Sequence, residues 1–286
     1  MLYAGIALLL AHLGFSICGS ADNVTLRTLF VEPFITGHQY GLNLAGWFVA
    51  PLFLSQMWAL LTRMAYHGRR SNHVWFAVGL LMGVCSVLLS NGGMHKGGWL
   101  TLVHFLYFVM FYEAGNYYRT MLERHDTLSN DTYFALLFCF WMFLLIARGA
   151  IPWSNPAFGN FTHNALLVSV VAFSGIAFWL RVAKVLEPSM GRSRIVNLVA
   201  DSTFSTMINH LLGFFLLNLV FYTVSQHTGL LHGFDTVEWH NNIWYTYLPR
   251  GLWRTHLLYV VAGIAFGVGI QQVLNFAKRR IGARKA

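Results

Sequence analysis

HVWFAVGLLMGVCSVLLSN, residues 73–91, runs for nineteen positions without a carboxylate, a lysine or an arginine. As a helix it spans about 28 Å at 1.5 Å per residue, close to the ~30 Å hydrocarbon core of a bilayer. Its apolar residues are continuous rather than alternating, which reads as a helix; only helices and closed barrels satisfy their backbone in lipid. Arg63, Arg69 and Arg70 precede the stretch, and Lys96 alone follows it before the next apolar run. Working outward, comparable runs lie near 2–20, 43–62, 98–118, 133–153, 164–183, 204–225 and 255–276. Of the 19 basic residues, 14 fall at 63–72, 119–132, 184–203 (with Arg181) and the C-terminal tail. The intervening segments 21–42, 92–97, 148–163 and 226–254 hold only 5. The positive-inside rule therefore puts the richer side in the cytoplasm. The expected fold is all-α: one integral membrane domain over 1–286, a polytopic transmembrane helix bundle of about eight spans, both termini cytoplasmic.

Composition agrees. With 56% hydrophobic and 10% charged residues, no stretch is left for a separate soluble domain. The net charge of +9 follows the membrane topology and suits anionic lipid, so no nucleic-acid partner is expected. Cys18, Cys85 and Cys139 all fall in apolar runs and imply neither a disulfide framework nor metal spacing. The first run lacks a basic leader, so it reads as a membrane helix rather than a signal peptide. Thirteen histidines form no HExxH and no paired Cys/His spacing. No GxSxG, P-loop or dinucleotide fingerprint occurs either, so no metal and no bound cofactor are expected.

Ionisable groups at membrane depth are costly and usually mark a pathway or a site. His12, His104, Glu113, Arg148, His163, Asn209, His210 and His256 lie in or beside the apolar runs. For each lone histidine a hydrogen-bonded packing role competes with a chemical one. Two connections on the basic-poor side are long. The second, 226–254, mixes Trp239, Trp244, Tyr245 and Tyr247 with charges, which suits either the headgroup interface or sugar stacking. Trp47, Phe48, Pro51 and Phe53 are expected to be packing residues. A transporter would pair charges at mid-bilayer or break corresponding helices, and neither pattern is visible.

Three stretches carry a resemblance. LFVEPFITGHQYGLN (29–43), running into GWFVAPLF (46–53), is similar to the glycine-containing outer loop and following helix of the acyltransferase type 3 superfamily. YEAGNYY (112–118) resembles a helix end of that family, and VADSTFSTMINHL (199–211) its late helix start with a serine, an aromatic and a histidine. The resemblance covers about 26–276. Members of that family are polytopic membrane enzymes that O-acetylate bacterial surface polysaccharides. They begin with a helix bearing an arginine and the histidine base, which this chain lacks, so the resemblance implies a form without the family's N-terminal helices.

What it implies for function is an O-acyltransferase of a bacterial inner membrane. It would pass an acyl group, expected to be acetyl from acetyl-CoA, to a hydroxyl of a surface polysaccharide or its lipid-linked precursor. The alternative is a truncated, inactive relative that assists polysaccharide assembly or export, with partner subunits of that system. Acyl transfer needs a base and oxyanion donors, and a histidine is the natural base at neutral pH. The expected catalytic residues are His38 and His104, with His12 and His210 as alternatives. Asn43, Trp47, Arg148, His163 and Arg250 are expected to bind the acceptor, His38, Asn43, Trp47, His104 and Arg148 lining one outer cavity. Arg63, Arg69, Arg70, Asn209 and His210 are expected to meet the donor's phosphates. The competing reading of the three arginines is that they only set topology.

Overall fold

The computed structural model of the chain describes residues 2–17, 25–35, 41–66, 71–161, 164–228, 230–247 and 252–283. The helices in these residues are, in chain order, α1 (Leu2–His12), α2 (Leu26–Phe30), α3 (Glu32–Ile35), α4 (Val49–Ala65), α5 (Asn72–Asn91), α6 (Gly98–Tyr117) and α7 (Asn130–Arg148). There follow α8 (Ala165–Met190), α9 (Arg194–Asp201), α10 (Thr203–His227), α11 (Thr236–Asn241), α12 (Ile243–Tyr247) and α13 (His256–Ala283). A two-residue hairpin, β1 (Ser154–Asn155) with β2 (Asn160–Phe161), is the only sheet among the described residues. The class is all-α.

Among the described residues six helical stretches are long and apolar enough to cross a membrane: Gly41–Ala65, Asn72–Asn91, Asn130–Arg148, Ala165–Met190, Thr203–His227 and His256–Arg280. Their outward faces are apolar too. Ile146 is 80% exposed and Leu257 78%, positions that lipid covers and water would not favour. The chain is a multi-pass membrane protein.

Two expected spans differ. The helix expected over 2–20 ends at His12, where Gly14 turns the backbone to φ 85°; eleven residues reach only about 16 Å. Helix α6 is twenty residues long but carries His104, Glu113 and Asn116, and it is not among the six apolar stretches. Helix α7 stops at Arg148 rather than 153. Gly149 takes a left-handed conformation (φ 71°) and its N–H caps the Leu145 carbonyl at 2.8 Å. In contrast, α8 and α13 run past the expected ends, and in α13 the last turn carries Arg280, a cation that suits a helix C-terminus.

The chain divides into two compact units. The middle unit comprises Phe34–Gly37 and Trp47–Met190. At its centre α6 packs along α5, and glycine sets the distance. A Cβ on Gly79 would lie 2.8 Å from Glu113 Cβ, and one on Gly83 2.2 Å from Met110 Sδ. Small residues four apart let two membrane helices approach closely, since lipid offers them no hydrophobic drive to associate. Val87, Tyr107, Met110 and Ala165 form the buried cluster beside this seam. On α4 and its lead-in, Phe48 and Pro51 are buried and Trp47 is half-buried. Phe53, expected to pack, instead exposes 58% of its surface to lipid. One helical turn relates 47 to 51, and 53 falls on the opposite face.

The terminal unit comprises Met1–Pro33, His38–Gly46 and Gly191–Ala286. Its seam is α10 against α13, again set by glycine: Gly213 meets the Ala262 carbonyl and Gly263 Cα, and Gly267 meets Thr206 Cα. Residues 234–247 bury one face, with Phe234, Trp239, Tyr245 and Thr246, and expose the other, with Asp235, Val237, Asn241 and Trp244. Trp239, 1% exposed, packs between Phe15 at 4.9 Å and Phe215 at 5.4 Å, with Tyr222 and Phe234 around it. Trp244 is 54% exposed and stacks on Tyr247, as expected of an interfacial aromatic.

Candidate functional site

The most constructed polar site of the middle unit sits where α5, α6 and the 149–161 segment meet. Gly159, at φ 62°, closes the hairpin, and a Cβ there would lie 2.9 Å from His95 Cβ and 3.2 Å from Ser90 Oγ. Only glycine fits. Ser90 Oγ donates to the Gly159 carbonyl, and His95 Nδ1 donates to the Ser90 carbonyl at 3.0 Å. From α6, His104 Nε2 donates to the Pro156 carbonyl at 2.7 Å, and the Ala157 backbone also lies within its reach. The Trp47 ring covers the imidazole at 5.0 Å. A carbonyl can only accept, so Nε2 carries hydrogen and Nδ1 keeps its lone pair in the neutral ring. The result is an oriented base, 2% exposed, beneath a hairpin stapled to two helices.

The structure thus brings Trp47 and His104 together. Arg148 lies elsewhere: it is exposed and lines a cavity of about 700 Å³ with Pro152, Trp153 and Leu166, of which neither His104 nor Trp47 is a lining residue. Asn43 belongs to the terminal unit, where its side chain lies under Gly46. His38, Arg69, Arg70, His163 and Arg250 lie outside the described residues. Arg63 is exposed in the last turn of α4. His12 closes α1 with its Nδ1 donating to the Leu8 carbonyl at 2.8 Å.

In the terminal unit Asn209 is fully engaged. Its Oδ1 accepts from Tyr3 at 2.8 Å, and its Nδ2 donates to the Ser205 carbonyl at 2.8 Å and to Ser205 Oγ at 3.3 Å. Ser205 Oγ in turn donates to the Gly267 carbonyl at 2.8 Å. One amide therefore ties α1, α10 and α13 together, leaving it no N–H for a phosphate. His210 Nδ1 turns back to the Met207 carbonyl at 2.9 Å, and its ring meets Phe214 at 5.3 Å. Among the described residues no group of three His, Cys, Asp or Glu side chains is placed to hold a metal.

One charged cluster was not legible as a site. Below α6 a five-residue π turn, Tyr118–Leu122, and a 3₁₀ turn deliver Asp126 to the basic face of α8. Its carboxylate meets Lys184 Nζ at 3.0 Å and Arg181 at 3.5 Å and accepts from the Tyr118 hydroxyl at 3.2 Å. Arg181, 7% exposed, also donates to the Leu128 carbonyl and lies 4.3 Å over the Tyr133 ring. Lys184's hydrogen bond, against some burial, holds the Asp126 carboxyl below its usual value, with both cations and Tyr118 assisting. The signal was present: Arg181 and Lys184, three apart, share a helix face. Counted by sequence alone, both are simply charges that set topology. Compared with known proteins the chain finds no counterpart: no protein-family model, no curated protein and no solved structure matches it.

Proposed function

We propose that the chain is a membrane O-acyltransferase, acting from a bacterial inner membrane on a hydroxyl of a surface polysaccharide or its lipid-linked precursor. The observation that carries this reading is His104: a buried imidazole of α6 anchored through Nε2–H to the Pro156 carbonyl, which leaves Nδ1 as the nitrogen that accepts a proton when the ring is neutral. The resemblance of 29–53, 112–118 and 199–211 to acyltransferase type 3 enzymes supports it. In the reaction His104 takes the acceptor's hydroxyl proton as the oxygen attacks the acyl carbon. The C–S bond of acetyl-CoA breaks and the thiolate leaves. Eight membrane crossings with both termini cytoplasmic complete the reading.

A second reading, a non-catalytic component of polysaccharide assembly, is favoured by the burial of His104 and by the separate placement of Arg148. Radiolabelled acetyl transfer from acetyl-CoA to surface polysaccharide, measured in membranes containing equal amounts of wild type, His104→Ala and His38→Ala, decides between them. Loss of a general base lowers the rate by about 10²–10⁴-fold, and that is the expected result for His104→Ala. If both variants acetylate as wild type does, the site assignment is wrong. An inactive wild type favours the second reading.

A further inference from the structure

Two cavities on one flank of the middle unit are neighbours, with Val84 and Leu166 in the lining of both. The upper, about 700 Å³, lies at the Arg148 end of α7 and is lined by Arg148, Trp153 and Asn164 together with Val84, Leu88 and Leu166. The lower, about 280 Å³, shares Val84 and Leu166 and is closed by Leu80, Met110, Val170 and Phe173. No polar surface lines this lower chamber except where Ser169 turns its hydroxyl back to the Ala165 carbonyl at 3.0 Å. From Asn164 to Phe173 the groove follows α8 for about 13 Å toward the middle of the helix. Its lips face outward: Leu166 is 67% exposed, Leu88 56% and Val170 48%. On a membrane helix, that exposure faces hydrocarbon.

The charge at the mouth is as specific as the depth. Arg148 is the one formally charged residue among the described lining residues, and it has no carboxylate partner among the described residues. Trp153 beside it, 66% exposed, is the aromatic type that settles at headgroup level. A site with a cation at the interface and a dry slot running inward from it fits a molecule built the same way. We propose that this groove is a binding site for an anionic phospholipid, its phosphate on Arg148 and one acyl chain laid between α5 and α8 past Val84 into the lower chamber. The combined volume falls in the roughly 300–1,000 Å³ range of ordinary ligand sites. The assignment is independent of the acyl-transfer reading and stands or falls without it.

The full chain in phosphatidylcholine nanodiscs, doped with phosphatidylglycerol carrying a diazirine in its acyl chain, provides the test. After irradiation, adducts are mapped to peptides. They are expected to concentrate on α5 and the first half of α8, several-fold above the lipid-facing residues Phe138, Phe143 and Ile146 of α7. Arg148→Gln should lower that concentration about fivefold, the factor equivalent to the ~1 kcal/mol of one basic residue's attraction for anionic lipid. Val170→Trp, at an already exposed lip, should block the lower chamber and remove the α5 and α8 adducts while α7 labelling persists. Equal labelling of α5, α7 and α8, equal concentration with a phosphatidylcholine diazirine, or adducts unchanged in either variant would overturn the proposal.

Discussion

Asp126 shows how one side chain can organise a membrane protein's polar end. A carboxylate with two cations and a tyrosine hydroxyl loses these partners together when it is protonated or neutralised. Asp126→Asn should cost about 1–3 kcal/mol at neutral pH, since it also leaves the buried Arg181 guanidinium without its counter-charge. Because partners hold the folded-state carboxyl below its unfolded value, its contribution is whole at neutral pH. It is lost as pH falls from about 4 through the folded value. Thermal midpoints of the purified protein in detergent check this: the gap between wild type and Asp126→Asn should narrow as pH drops from 7 to 3. A gap that stays constant would show that the carboxylate's charge is not what stabilises the cluster.

At the scale of elements, the two seams rest on glycines whose absent side chains are their contribution. A methyl on Gly267 would stand 2.4 Å from Thr206 Cα, and backbone cannot step aside as a flexible side chain can. On Gly269, two positions on, it would meet nothing within 4 Å. Gly267→Ala should therefore cost about 1–3 kcal/mol by overpacking, while Gly269→Ala is neutral or slightly stabilising. Melting curves of the two variants in one detergent compare them directly; equal midpoints would mean that α10 and α13 do not meet at Gly267. The spacing was legible in sequence, as Gly79 with Gly83 and Gly263 with Gly267, yet hydropathy alone passes over it because glycine is nearly neutral on such scales. Helix ends were less legible. Gly14 and Gly149 stop α1 and α7 through backbone conformations that no hydrophobic sum contains. The inward fold of Trp239 depends on Phe15 and Phe215, more than twenty positions or a whole span away in sequence.

At the scale of the whole molecule, the helical, multi-pass character was readable because bilayer thickness imposes a length and lipid imposes a composition. The site was less so. His104 was visible as a polar residue in an apolar run, but its partner is a backbone carbonyl, Pro156, and a carbonyl leaves no signature in sequence. Arg148 and His104 belong to the same end of neighbouring runs, which groups them in sequence, whereas Arg148, closing α7, lines a separate cavity with Pro152 and Trp153. Orientation underlies the acyl-transfer proposal, since acceptor sugars and the acyl donor must arrive from opposite sides. It rests on the eight-span reading of the sequence, under which 14 of the 19 basic residues would share one side. Its most direct measurement is a pair of dual-reporter fusions, one joined after Gly233 and one after Ala286. The account predicts periplasmic phosphatase activity without cytoplasmic fluorescence at Gly233, and fluorescence without phosphatase activity at Ala286. The reverse pattern at either junction would contradict it.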